Sequence, residues 1–177
     1  MDSFACASVT LAACRSVLGG LTADDLGRAS PCAEYTAGEV GEHVVRSMVL
    51  LASVAGGSAD GPAPGSLEGR VTASAGAALA AWRGRGLDGS VAVGRSTLPA
   101  GLAVEIIPLE LLVHGWDLAR ATGAEIEVVP EVADYVLGRA RLLITPDKRG
   151  RSFAAEVPAG PAATALERLI AFSGREP

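Results

Sequence analysis

The chain has 177 residues, 49% of them apolar and 20% charged, which is enough to bury a core within one domain and too apolar for a disordered segment. Fifteen basic against 20 acidic residues leave a net charge of −5, and aromatics make up 4%. Neither a phosphate-coating protein nor a base-stacking platform for single strands is built this way, so no nucleic-acid partner is expected.

Read in chain order, Phe4, Ala7, Leu11, Cys14 and Leu18 recur at helical spacing and stop at Gly19-Gly20. Leu11-Ala12-Ala13-Cys14 imitates a lipoprotein cleavage box, but the opening residues lack the positive charge a secretory segment carries, and helix is the preferred reading. Thr36-Ala37-Gly38-Glu39 forms a capping box that opens a second helix running to about Ala55. Gly56 to Gly65 is a Gly/Pro/Ser/Ala loop. Ser66 opens a third helix, with Val71, Ala75, Ala78, Leu79 and Trp82 on one side. Ser90–Val93 and Arg95–Leu98 alternate weakly and suggest a small hairpin around Gly94. A fourth helix should run from Pro99 to Thr122, bent where Pro108 removes a donor, and stop at Gly123. A fifth follows from Pro130 to about Ile144, and a short last one carries Leu166, Leu169 and Ile170.

Four substantial helices with little strand imply a mostly α fold, an antiparallel four-helix bundle with a small β-hairpin, flanked by extra C-terminal helices. Residues 1–177 are read as a single domain. No stretch reaches the ~18 uninterrupted apolar residues of a membrane span. Three cysteines, Cys6, Cys14 and Cys32, suggest no disulfide framework, so a reduced, cytoplasmic location is expected.

Only two histidines occur, His43 and His114. Glu110 and His114 stand at i and i+4, on a helical stripe shared with Ala103, Ile106, Ile107, Val113 and Ala121, and so point inward. A buried carboxylate costs several kcal/mol unless it is paired or binds a metal. His43 lies on the apolar stripe of the second helix beside Val40, Val44, Ser47 and Leu51. Two imidazoles and one carboxylate from facing helices make a three-ligand site for zinc or a similar divalent ion, with positions left open for water or substrate. The bland readings stand beside it: an inward histidine is commonly a satisfied core residue, and a Glu/His pair at this spacing stabilises helices by itself. Asp117, three residues after His114, is assigned first to orienting a ligand imidazole, with Arg120 or substrate as its other partners.

Gly84-Arg85-Gly86-Leu87-Asp88-Gly89 spells a dinucleotide fingerprint but follows a helix rather than a strand, so it reads as a helix end and turn. Cys32, flanked by Pro31 and Ala33, is assigned to packing rather than to nucleophilic chemistry.

Several segments resemble a known family. Leu21-Thr22-Ala23-Asp24-Asp25-Leu26, Ser30-Pro31-Cys32-Ala33-Glu34-Tyr35-Thr36, Glu42-His43-Val44-Val45, the run from Leu109 through His114-Gly115-Trp116-Asp117 to Gly123, and Leu166-Glu167-Arg168-Leu169-Ile170 are similar to the mycothiol-dependent maleylpyruvate isomerase-like proteins. These belong to the DinB/YfiT-like metal-binding bundles of actinobacteria. The resemblance implies a divalent metal, usually zinc, on His43, Glu110 and His114, and the thiol mycothiol as co-substrate. Two departures stand out: Glu34-Tyr35 replaces the family's common Gly-Trp, and the larger isomerases carry a second catalytic domain.

The function implied is a metal-dependent thiol S-transferase or isomerase acting on a small organic electrophile, with a homodimer as a candidate assembly. The competing expectations are a hydrolase, lyase or cyclase that uses no thiol, and a non-enzymatic small-ligand-binding or stress-related bundle.

Overall fold

The computed structural model describes residues 1–32, 35–150 and 153–177. In chain order the elements are α1 (Ser3–Gly19), a 3-10 turn (Ala23–Gly27), α2 (Ala37–Val54), α3 (Leu67–Arg85), β1 (Ser90–Val93), β2 (Ser96–Pro99), α4 (Ala100–Ala103), α5 (Ile106–Thr122), α6 (Pro130–Leu143), a second 3-10 turn (Pro146–Lys148) and α7 (Ala165–Phe172). The mostly α expectation holds, with a two-stranded antiparallel hairpin between α3 and α4.

Helices α1, α2, α3 and α5 form the bundle, in which α1 and α2 each pack against both α3 and α5. Contacts along each pair set the directions. Ser3 bonds to Glu105 and Cys14 lies against Gly115, so α1 and α5 run parallel. Glu42 pairs with Arg70, and Gly57 abuts Ala81, so α2 and α3 are parallel too. Arg15 pairs with Glu68 while Arg83 lies over Phe4, which makes α1 and α3 antiparallel. Two helices therefore run each way, in an up-down-down-up order. The Gly/Pro-rich segment 55–66 is the long crossover this order requires, returning the chain from the end of α2 to the start of α3.

Helix α5 is the axis of the core. Its residues from Ile107 to Ala119 are buried except Glu110, and Ile107, Leu111, Leu112 and Leu118 are fully so. Each such side chain contributes roughly 1.5–3 kcal/mol by leaving water. Gly115 lets α1 come close, since a Cβ there would meet Ile126 Cδ1 at 2.8 Å and Cys14 Cβ at 3.4 Å.

One element differs from the sequence reading. The helix expected from Pro99 to Thr122 is not bent at Pro108 but broken before it: α4 ends at Ala103, Val104 and Glu105 turn, and α5 restarts at Ile106. In a continuous helix Pro108 would leave the Val104 carbonyl without a donor and clash with it. The break puts Pro108 in the first turn of α5, where no N–H is needed. Glu105, at the break, is buried and accepts from Ser3 Oγ at 2.7 Å and Tyr135 Oη at 2.6 Å, which ties α1 and α6 to the start of α5. The hairpin register also sits one residue later than expected, pairing Val93 with Ser96 across Gly94-Arg95. Gly94 has φ +58°, which suits the first central position of a two-residue hairpin turn.

The glycine motif from Gly84 to Gly89 ends α3 and leads into β1, the reverse of the strand-to-helix order a dinucleotide site needs. Among the described residues, no helix is long and apolar enough to cross a membrane. Helix α6 packs on α1 and α5 and carries α7, so the C-terminal helices flank the bundle as expected.

Candidate metal centre

The capping box at the start of α2 forms as the sequence indicates: Glu39 N–H donates to Thr36 Oγ1 at 3.4 Å, and Thr36 N–H donates to Glu39 Oε2 at 2.8 Å. It fixes where α2 begins, and about two turns later His43 faces α5. On α5, Glu110 and His114 lie one above the other at i and i+4. The three residues singled out in the sequence meet here. Glu110 Oε2 is 3.2 Å from His43 Nε2 and 3.7 Å from His114 Nε2, and one ligand atom from each residue falls within 4.8 Å of the others. The imidazole rings meet edge to face at 4.8 Å.

This arrangement fits a divalent cation. Ligand atoms about 2.0–2.2 Å from a tetrahedral zinc stand roughly 3.3–3.6 Å apart, close to the spacings seen. Glu110 Oε2 is buried, and no partner among the described residues meets it in hydrogen-bond geometry, although two imidazole nitrogens lie near it. An inward carboxylate oxygen in that position is costly unless something positive sits between it and the rings. Burial pushes the Glu110 carboxyl up, but the close approach of His43 and the charge of His114 outweigh it and hold the pKa at about 2. The carboxylate form is thus the one present at neutral pH, which a metal site requires.

Asp117 lies against the His114 ring. Its Oδ2 is 2.9 Å from His114 Nδ1, so Nδ1 donates to the carboxylate and Nε2 is the nitrogen that faces Glu110. The second partner of Asp117 is not Arg120, which lies instead over the Trp116 ring. It is Arg175, from the segment after α7, bonded through Nε at 2.8 Å and NH2 at 2.9 Å. Burial would raise the Asp117 pKa; the bonds from His114 and Arg175 overcome it and lower the pKa below the usual carboxylate range.

The open side lies at His43, whose side chain is 31% exposed against 9% for His114. Tyr35 stacks on His43 at 5.7 Å, and Ser47 Oγ lies 3.4 Å from His43 Nε2. Tyr35 belongs to a strap held by the Ala29–Thr36 bridge and by Ser30 Oγ donating to the carbonyls of Cys32 and Tyr35. Glu34, half of the Glu34-Tyr35 departure, lies outside the described residues.

Cys32 packs against the core as assigned, and it also borders the site. Its sulfur lies within 4.8 Å of ligand atoms on His114 and Asp117, on the carboxylate side of the site. Sequence spacing could not find this, because the strap brings together residues far apart in the chain. Arg175 was equally hidden, although its being an arginine beyond the last helix is the one signal on offer. The other two thiols are different: burial pushes Cys6 and Cys14 up to about 12.

Comparison with known proteins matches residues 9–119 to the family described as the mycothiol maleylpyruvate isomerase N-terminal domain. That span takes in His43, Glu110, His114 and Asp117 and stops short of Arg175. Two relatives, uncharacterized proteins from two strains of Mycobacterium tuberculosis, are each 31% identical over 166 residues, covering 90% of this chain and 90% of their own length. No solved structure matches the chain. A bundle that gathers two histidines and a glutamate on facing helices, matched over most of its length by one family model, belongs to the mycothiol maleylpyruvate isomerase N-terminal domain family.

Proposed function

We propose that the protein is a divalent-metal-dependent enzyme that joins a thiol of the mycothiol type to a small organic electrophile, by S-transfer or by reversible addition that isomerises a double bond. The observation carrying this reading is the convergence of His43 Nε2, His114 Nε2 and Glu110 Oε2, with the carboxylate oxygen otherwise unsatisfied. Three protein ligands leave coordination positions open, the pattern of catalytic rather than structural zinc sites.

His43, Glu110 and His114 would hold the ion, and a divalent cation there supplies the positive charge that favours the thiolate form of a thiol near neutral pH. The chain's own residues do the rest. Asp117 fixes the tautomer of His114, so that Nε2 faces the centre. Buried α5 side chains exclude water from behind the site. Tyr35 and the exposed edge of His43 mark the side from which a small molecule arrives. The family to which the chain belongs, described by mycothiol, supports the choice of thiol.

The test is a turnover screen of the zinc-loaded, untagged protein against simple electrophiles, following both the electrophile and the thiol, run with and without thiol. Thiol-dependent turnover lost in His43→Ala and Glu110→Gln supports the proposal. Turnover that needs metal but no thiol points to a hydrolase, lyase or cyclase instead. Metal-free protein that binds a ligand without turnover points to the non-enzymatic reading.

A further inference from the structure

We infer that Arg175 is a positioning residue of the metal centre: by gripping both oxygens of Asp117, it fixes the carboxylate that holds His114 with Nδ1 as donor and Nε2 free toward Glu110 and His43. The grip is bidentate, Nε to Oδ1 at 2.8 Å and NH2 to Oδ2 at 2.9 Å, the geometry in which a guanidinium sets a carboxylate plane rather than merely neutralising it. Oδ2 also accepts from His114 Nδ1 at 2.9 Å, so one carboxylate links guanidinium to imidazole. The Asp117 side chain is fully buried and that of Arg175 only 9% exposed. In this setting an unrestrained alternative geometry would strand a charge away from water.

The third nitrogen of the guanidinium is also engaged. NH1 lies 3.3 Å from the Ser173 carbonyl and 3.4 Å from Ser173 Oγ. With all three nitrogens committed within the protein, Arg175 acts through Asp117 and not as a clamp for a substrate anion. The backbone is shaped to aim it. Gly174 has φ +88°, and a Cβ there would lie 2.8–2.9 Å from Ala154, so only glycine turns the chain back at that point. Arg175 N–H then donates to the Ile170 carbonyl at 3.2 Å, anchoring the turn to the end of α7.

A neutral imidazole with no fixed partner exchanges between tautomers, and only the Nδ1–H form offers Nε2 as a ligand. The consequence for metal affinity rests on the proposed metal centre; the tautomer itself is a property of the metal-free protein, so the two can fail separately.

The experiment is nitrogen NMR of the metal-free protein with labelled histidine, together with zinc titration against a chromophoric chelator, for wild type, Arg175→Ala and Arg175→Lys. Wild type should show His114 as one tautomer, Nδ1–H. Arg175→Ala should mix the tautomers of His114, leave His43 unaltered, and weaken zinc binding about tenfold. Arg175→Lys, whose single ammonium cannot grip both oxygens, should fall between them, and it carries the same readout should the alanine variant not fold. A folded Arg175 variant that keeps a single Nδ1–H tautomer and wild-type zinc affinity overturns the inference. If wild type takes up no zinc, the metal reading falls and the tautomer result alone decides the role of Arg175.

Discussion

His43 and His114 meet edge to face, with ring centroids 4.8 Å apart and planes at 75°, although they stand on α2 and α5, which run in opposite directions. The two rings are not equivalent. His43 is partly exposed, whereas His114 is buried and bonded to Asp117. Replacing either with alanine should abolish metal retention. His43→Ala should cost less than about 1 kcal/mol of stability, while His114→Ala, which removes one bond to the buried Asp117 carboxylate and opens a void, should cost about 2–3 kcal/mol. Metal analysis alongside urea unfolding of the metal-free variants separates the two effects.

Acid should destabilise the metal-free protein through Glu110. Its carboxyl, ordinarily near 4.5, is held at about 2 in the folded chain, so protonation favours the unfolded state. The stabilising contribution is complete above about pH 4.5 and is lost as the pH falls toward 2. Asp117, also lowered, adds to the same limb. Unfolding free energy measured at steps through that window should fall steeply in wild type and less steeply in Glu110→Gln. Equal slopes would contradict the assignment.

Much of this was legible in the sequence because local rules carried it. The Thr36/Glu39 capping box, the i,i+4 spacing of Glu110 and His114, and the glycine stops all depend on near neighbours and are seen where expected. The sequence reading expects a bend at Pro108 where the helix breaks before it, because proline forbids a donor without saying how the helix yields; Glu105 at the break is anchored on Ser3 and Tyr135. Cys32 and Arg175 reach the site through a strap and a turn after the last helix, and no periodicity records such contacts.

The cap on α2 also bears on the strap. Thr36 accepts from Glu39 N–H at 3.4 Å and is bridged to Ala29, so it ties the start of the helix to the segment presenting Tyr35 and Cys32. Thr36→Ala should cost about 1 kcal/mol in chemical denaturation. It should also speed hydrogen exchange in residues 29–30 and 35–36 more than in the core of α5; uniform exchange across the chain would argue that the strap is held by other means.

Thiol reactivity should sort by position. Cys6 and Cys14 are fully buried, with burial pushing both up to about 12, while Cys32 is half-buried at the site. Brief alkylation of the native protein followed by peptide mass spectrometry should find label on Cys32 alone. Zinc should slow that labelling if the ion and its open positions lie beside the thiol, and labelling of Cys6 or Cys14 at the same rate would contradict the described packing.

The most direct measurement is the metal content of untagged protein after zinc loading and exhaustive dialysis. One ion per chain, absent from His43→Ala, His114→Ala and Glu110→Gln variants that remain folded, is the expected result. Wild-type protein that retains no ion, or a folded His114→Ala variant that retains as much as wild type, would contradict a centre built from these three side chains.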